Sequence, residues 1–324
     1  MHSDFKFSVI IPNHNRCDTL FEVLRALEGQ TFALDRFEVI VVDDHSTDGS
    51  VEQLAQYLPN TALHFDWASS EGRGASSARN LGLRIARGER VLFLDADTIP
   101  SPEVLTMHDR LSEQYGRNIC LLGKVTMSEA IRRREQGRLN DTATRYDNEP
   151  LYAVAWQEYR TANTSVSREL CLLAGGFDES LPAAEDTEFA SRLAKLGVRF
   201  LFSGNIVVVH HHPLSADGFF RKGALYGKAA ALWYRKSPEH RPLIVQRYGV
   251  LAPETGFYKK LKYALRALMV NRLTAPLISL IGKGLRRFWI EPSDELFVTV
   301  FRYNLRHAFR AHLKNSLVRE SCGF

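Results

Sequence analysis

The chain is poor in cysteine. Four occur in 324 residues (Cys17, Cys120, Cys171 and Cys322), none in CxxC spacing. That argues against a disulfide framework or a zinc site and fits a reducing cytoplasm. Long apolar runs are also missing. The longest stretch near the C-terminus, residues 273–281, is interrupted by Thr274, Pro276 and Ser279 and is too short to span a bilayer. The first residues, Met1, His2, Ser3 and Asp4, form neither a basic nor an apolar segment, so no secretion signal is expected. No internal repeat or low-complexity tract stands out. At 45% hydrophobic and 24% charged, the composition is that of an ordinary globular protein. The length allows one large domain with an appendage, or two domains.

Charge is unevenly spread. From Thr255 onward there are thirteen Lys/Arg against four acids, so the tail carries +9 while the chain as a whole carries +5. Such asymmetry predicts an anionic partner for the tail, a membrane surface or nucleic acid. Phe257, Leu261, Ala264, Leu265 and Leu268 fall at helical spacing among lysines and arginines. Basic amphipathic helices of this kind lie on anionic membranes. A helical subdomain packing its apolar face on the protein explains the pattern equally well. The tail lacks the aromatic stacking pattern of single-strand readers, so no nucleic acid is expected.

The first half alternates between apolar strands and amphipathic helices. Residues 7–11, 37–42, 62–67, 91–94 and 119–126 read as strands. Residues 74–87 and 102–115 read as helices, as do the segments carrying Leu20, Val23, Leu24 and Leu27 and carrying Val51, Leu54 and Leu58. Asp18 is the expected N-cap of the first helix. Polar residues 128–150 read as a surface loop. Strands follow at 164–167, 199–202 and 206–210, with a helix at 185–196. Continuous apolar strands between helices predict a mostly parallel sheet covered on both faces. Ligands in such sheets bind beyond the carboxyl ends of the strands. Three strands end in polar clusters, Pro12 to Arg16, Asp43 with Asp44, and Asp95 with Asp97, and a shared rim would gather them.

Asp95 and Asp97 suit Mg²⁺ or Mn²⁺, hard cations that take carboxylate, phosphate and water oxygens. A solvated acidic turn is the ordinary alternative. Glu185, Asp186 and Glu188 open a helix. They either complement its dipole or supply a general base. One of Asp43 and Asp44 could accept hydrogen bonds from a base or ribose, while Asp48 could cap the next helix. Of His210, His211 and His212, at most two can reach one site. Arg79 could pair with phosphate or be a surface arginine. Gly175 and Gly176 form a tight turn where backbone could approach a ligand.

Six segments stand in order along the chain: Ser8-Val9-Ile10-Ile11-Pro12-Asn13-His14-Asn15-Arg16, Val41-Val42-Asp43-Asp44-His45-Ser46-Thr47-Asp48-Gly49, Ala78-Arg79-Asn80-Leu81-Gly82, Phe93-Leu94-Asp95-Ala96-Asp97, Gly175-Gly176-Phe177-Asp178-Glu179 and Glu185-Asp186. Together they resemble family 2 glycosyltransferases over residues 6–212. The resemblance implies a GT-A type mostly parallel sheet flanked by helices, with a C-terminal helical appendage. Residues 1–215 would form the transferase domain, divided near 127 into nucleotide-binding and acceptor-binding halves. Residues 216–324 would form the basic helical region.

By that resemblance, Pro12, Asn13, Asn15, Arg16, Asp44, Arg79 and Asp95 line the donor nucleotide. Asp97, with Asp95 and with His210 or His212, holds Mn²⁺ or Mg²⁺. Asp186 is the catalytic base with Glu185 beside it. Asn163, Gly175 and Gly176 border the sugar and acceptor. His14 and His45 depart from the commoner residues of the family. The implied activity is inverting, metal-dependent transfer from a nucleoside-diphosphate sugar, with uridine the expected base, to a glycan or lipid-linked acceptor. The enzyme would be cytoplasmic or peripheral on the inner face of the cell membrane. Two rivals differ in chemistry. A sugar-nucleotidyltransferase would need a Gly-rich loop after the first strand, and Pro12 to Arg16 has no glycine. A non-catalytic nucleotide-binding module would have little use for four intact acids.

Overall fold

A computed structural model describes residues 5–72, 74–128, 151–211, 216–248 and 294–321, with Thr274 and Leu280. The expected surface loop lies outside the described residues apart from Ser128, as do His212 and the amphipathic pattern from Phe257 to Leu268. Two compact units are present: Met1–Glu179 with Glu185–Pro213, and Ser180–Ala184 with Leu214–Phe324.

The first unit is built on one sheet. Its strands are β1 (Phe7–Asn13), β2 (Phe37–Asp43), β3 (His64–Ser69), β4 (Arg90–Leu94), β5 (Thr98–Pro100), β6 (Ile119–Met127), β7 (Tyr152–Ala153), β8 (Asn163–Ser167) and β9 (Arg199–His210). They run in the order β3-β2-β1-β4-β8-β6-β9-β5, with β7 added on β9. β3, β2, β1 and β4 are mutually parallel, as are β6 and β9, while β8, β5 and β7 run antiparallel to their neighbours. Every residue of β2, β4 and β8 is buried, because helices cover both faces. β3, at the edge, mixes buried with exposed positions.

The flanking helices are α1 (Cys17–Glu28), α2 (Ser50–Tyr57), α3 (Ala75–Ile85), α4 (Val104–Tyr115), α5 (Arg168–Leu173) and α6 (Glu185–Lys195). Leu20, Val23, Leu24 and Leu27 of α1 join Phe7, Val9, Ile11, Val39 and Val41 in one core. On the other face Ala78 and Leu83 of α3 meet Ile10, Ile40, Val42 and Phe93. α3 lies unusually close to the sheet, since a Cβ on Gly82 would stand 2.5 Å from Ile10 Cγ2. That close approach carries the N-terminal turn of α3 down onto the rim of the sheet.

The structure corrects several expectations. Asp18 is not the cap of α1, which begins one residue earlier, at Cys17. Asp48 does the capping, and for two helices. One carboxylate oxygen accepts the Cys17 N–H at 2.8 Å, and the other accepts the Ser50 N–H at 3.2 Å and the Ser50 hydroxyl at 2.5 Å. The two strands expected after α6 are one strand, β9, whose pairing with β6 shifts register beyond Gly123. β5, β7 and α5 are too short to leave a periodic signal.

In the second unit, the helix Ala216–Lys236 packs on the helix Asp294–Ser321. Gly223 and Gly227 admit the backbone of the partner helix, for a Cβ on either would run into the carbonyl oxygen of Phe301 or Leu305. Val300, Leu305 and Phe309 are buried while Arg302 and Arg310 are exposed. Among the described residues no helix is long and apolar enough to cross a membrane.

Local structure can be tested at two residues. Removing the double cap with Asp48→Ala should cost about 0.5–2 kcal/mol for each helix, read as a lower urea midpoint, with Asp48→Asn intermediate. An unchanged midpoint would refute the capping role. His108 of α4 is fully buried, donating from Nε2 to Asn163 Oδ1 at 3.2 Å and accepting at Nδ1 from the Ser165 hydroxyl at 2.9 Å. Burial, ahead of the smaller pull of Arg90, pushes its pKa down to about 3. The unfolded chain takes up that proton near pH 6.5 and the folded chain does not. Stability should therefore fall as pH drops from about 6.5 toward about 3, at a limiting slope of about 1.4 kcal/mol per pH unit. Urea unfolding of His108→Gln should lack that component, so equal slopes in the two proteins would contradict it.

Candidate functional site

The carboxyl ends of β1, β2 and β4 form a rim, and the polar clusters predicted from the sequence meet there. Asn13 and Asp43 are register partners at the ends of β1 and β2. Asn13 is buried and donates to Asp43 Oδ1 at 2.8 Å and to the Ser46 hydroxyl at 3.1 Å, while its own Oδ1 is buried without a partner. The Asp43 Oδ2 accepts the Ser46 N–H at 2.9 Å. The loops after the two strands are further laced together by Asn15. Its N–H donates to the Ser46 hydroxyl at 2.9 Å, and its Oδ1 accepts the Thr47 N–H at 2.8 Å. Asn15 and His45 both sit in the left-handed region, with φ of 53° and 59°, a cost that functional loops commonly carry.

Asp44 is the buried acid just past β2. It accepts from the Ser70 hydroxyl and, at 2.9 Å, from the Gly74 N–H that precedes α3. Its carbonyl accepts from His14 Nδ1 at 2.6 Å, and His14 Nε2 in turn faces Asn15 Nδ2 at 3.2 Å. That pairing suits the tautomer with its proton on Nδ1. The Asp44 carboxylate is thus held still, one side chain deep, at the mouth of the rim. Ser70 is a member of this group that sequence reading missed. It reaches Asp44 because β3 pairs in parallel with β2, a non-local register that no spacing reveals.

Arg79 joins the clusters. Only 5% exposed, it donates to Asp95 Oδ1 at 3.1 Å and to Glu185 Oε1 at 3.0 Å. It therefore links the end of β4 to the start of α6, reaching Glu185 across 106 residues of sequence. Its guanidinium also lies 5.6 Å from the Phe177 ring. Against the desolvation that opposes its charge, the Asp95 and Glu185 carboxylates keep Arg79 firmly protonated. Glu185 is raised above the ordinary range by burial and then by the adjoining Asp186, with Arg79 pulling it back. Asp95 keeps a third of its side chain exposed yet is also raised, by desolvation first, with Arg79 opposing and Asp97 adding to it.

The Asp95-Ala96-Asp97-Thr98 turn is closed by the Thr98 hydroxyl, which donates to Asp95 O at 2.8 Å and accepts the Asp95 N–H at 3.1 Å. β5 then pairs with the end of β9, setting Thr98 against His210. That pairing brings His210 Nε2 to 3.5 Å from Asp97 Oδ1, while Arg16 Nε donates to Asp97 Oδ2 at 3.3 Å. His210 Nδ1 is buried without a partner. Two carboxylates and an imidazole are donors that suit Mn²⁺ or Mg²⁺. Among the described residues no three metal-binding side chains are already gathered. A cation here would need donor phosphate oxygens and water to complete its sphere.

On the far side, Gly175 and Gly176 turn the chain with φ of 81° and 68°. Asp186 is half-buried, and its Oδ1 accepts the N–H of Thr187 at 2.6 Å and its hydroxyl at 3.2 Å. Glu188 is drawn away into an ion pair with Arg192 at 2.7 Å. Asn163, placed beside the sugar by the family resemblance, is 2% exposed. Its amide is spent on His108, Lys124 O and Ile206 O at 3.1–3.3 Å, so the geometry gives it a part inside the sheet. Pro12 lies on β1 beside Asn13, its register partner in β2 being Val42.

Comparison with known proteins agrees with this layout. Residues 8–163 match the model of glycosyl transferase family 2. Poly(ribitol-phosphate) beta-N-acetylglucosaminyltransferase TarS of Staphylococcus aureus (strain Mu50 / ATCC 700699) is 33% identical over 117 residues, covering 36% of this chain. The chain spans about a fifth of that relative, 20% of its length. The crystal structure of S. aureus TarS 1-349 in complex with UDP-GlcNAc superposes with a TM-score of 0.57 at 19% identity, over 96% of this chain and 92% of the other. The mannosyltransferase PcManGT from Pyrobaculum calidifontis, in complex with GDP-Man and Mn2+, gives 0.60 at 21% identity, over 95% and 87%. Residues 8–163 are thus a glycosyl transferase family 2 domain, and the fold is the GT-A fold.

Proposed function

We propose that this chain is an inverting, metal-dependent glycosyltransferase that moves a sugar from a nucleoside-diphosphate donor, with uridine as the base, to an acceptor hydroxyl in glycan assembly. The observation that carries the reading is the buried Arg79 bridge, which sets the acid after β4 and the acids opening α6 in one cleft. The solved relatives bind UDP-GlcNAc, or GDP-Man with Mn2+. The uridine assignment follows the former, whose protein also matches in sequence.

Each group has a task within this reading. Asp44, with Pro12 and Asn13, receives the base and ribose. Asp97, Asp95 and His210 would hold the cation. Arg16, beside Asp97, offers its guanidinium to the diphosphate. When bound, the cation stabilises negative charge on the leaving diphosphate. Glu185 and Asp186 are told apart by their partners. Glu185 is tied to Arg79, whereas only Oδ1 of Asp186 is engaged, by Thr187, and its Oδ2 carries no hydrogen bond among the described residues. Asp186 is thus the base. The acceptor oxygen bonds to the anomeric carbon and its proton passes to Asp186. The bond from that carbon to the phosphate oxygen breaks, and the electron pair leaves with the nucleoside diphosphate. Displacement from the opposite side inverts the anomeric centre. Gly175 and Gly176, with no side chains, let the acceptor pass close to the backbone.

The +9 C-terminal region is assigned to an anionic membrane surface through charge. In its described part, the apolar face of the helix Asp294–Ser321 is already used against Ala216–Lys236, which leaves the exposed Arg302 to face an outside partner.

Asp186→Asn should lower transfer roughly 10²–10⁴-fold with nucleotide binding unchanged. Asp97→Ala should weaken nucleotide binding in the presence of Mn²⁺ and leave the metal-free value alone. Calorimetry with and without Mn²⁺, beside donor turnover, checks both. Full turnover by Asp186→Asn would remove it as the base, and pyrophosphate release from a nucleoside triphosphate would reassign the chain to nucleotidyl transfer. Flotation with anionic liposomes should show binding at low salt that is lost at high salt, and no binding at either salt would end the membrane assignment.

A further inference from the structure

Beside Arg79 on α3 stands Asn80, whose amide faces the Gly175–Gly176 turn. Its Oδ1 accepts the Phe177 N–H at 2.7 Å, and its Nδ2 donates to Phe177 O at 2.9 Å and to Glu179 Oε1 at 2.9 Å. One side chain thereby satisfies both main-chain groups of a residue in an irregular turn, as a neighbouring strand would. The fit tolerates little at Gly176, where a Cβ would stand 2.5 Å from Asn80 Oδ1 and φ is 68°. The same turn is held from its other side by α6. Arg192 donates to Ala174 O, and it is itself fixed by a two-point pair with Glu188, at 2.8 and 2.7 Å. The two helices that grip the turn are those that carry Arg79 and Glu185–Asp186 into the cleft.

We infer that Asn80 is a positioning residue. It locks the 174–179 turn to α3, and so sets the distance between the acceptor and the acids at the start of α6. This inference rests on the transferase reading given above, in which the turn borders the acceptor. Asn80 has no other task in the cleft, because its donors and acceptor are consumed by the turn. Only an amide of this length offers an acceptor and a donor to one residue's main chain and a further donor to Glu179. Aspartate keeps the acceptor, loses both donors and sets a carboxylate against Glu179.

Two measurements test it, and one is independent of catalysis. Amide hydrogen exchange at Phe177 should quicken in Asn80→Asp, because one of its two clamping bonds and the bond to Glu179 are lost and repulsion replaces the latter. With a nucleotide-sugar donor and acceptor, the same variant should lose transfer by about 10²-fold, the order of effect expected of a displaced reactant, with the affinity for UDP and Mn²⁺ unchanged. Adding Glu179→Gln to that variant sets a donor, in place of a repelling charge, opposite the introduced carboxylate. The double variant should recover roughly tenfold of the loss, since neighbouring groups in one network couple. Wild-type exchange at Phe177 in Asn80→Asp would overturn the clamp. Undiminished transfer, a matching loss of nucleotide affinity, or failure of Glu179→Gln to recover activity would overturn the positioning role. If the unsubstituted chain transferred no sugar from any nucleoside-diphosphate donor while exchange at Phe177 still responded, the transferase reading would fall, and the positioning role with it, but the clamp would stand.

Discussion

A buried arginine holding two acids is the constraint around which the cleft is arranged. Arg79 has lost nearly all contact with water, and a lone guanidinium in that position would be strongly disfavoured. Asp95 and Glu185 supply the compensating charge at 3.1 and 3.0 Å. The compensation works in both directions, since both carboxyls are pushed toward their neutral forms by burial and are opposed in this by Arg79. Three elements from distant parts of the chain are thereby held together. Asp95 and the start of α6 cannot drift apart without leaving a charge unpaired.

Arg79 reaches that position because of packing that has no charge in it. Gly82, one turn later on α3, lets the helix settle against Ile10 of β1. The helix begins where Gly74 donates to the Asp44 carboxylate, so Asp44 and the Arg79 bridge share one rigid element. Asn80 extends the same element to the Gly175–Gly176 turn. Electrostatics in the cleft therefore rest on van der Waals contact beneath it, which is how a preorganised site is held.

Parallel register does the rest. Asn13 meets Asp43 because β1 and β2 end together, and His210 meets Asp97 because β9 is long enough to be paired by the three residues of β5. Asp48, capping α1 and α2 at once, ties the loops that follow β1 and β2 into a single polar layer. The result is a rim of oxygen and nitrogen donors with few spare bonds. Among the described residues most of the polar groups buried there are satisfied, with Asn13 Oδ1, Arg79 Nε and His210 Nδ1 as exceptions.

Much of this was legible in the order of residues along the chain. Runs such as Val39 to Val42 are buried strands because so apolar a segment has no other place to go, and acids just past such strands must lie at their carboxyl ends. The alternating fold, the motif-bearing strand ends and the helix opened by Glu185 and Asp186 follow from these local rules. Spacing alone could not reveal the partners. Asp18 looked like a cap and Asp48 supplies it, because capping depends on which loop folds back over a helix end. Asn163 looked like a sugar contact, and its amide is turned into the sheet, because β8 runs antiparallel between β4 and β6. Arg79 could have been a surface residue until the helix beneath it was seated on Ile10. Residue order specified which chemical groups are present and which strand or helix carries each one. Which of those groups touch was settled by folding, because contacts between distant segments depend on register and close packing, and neither is written in local periodicity.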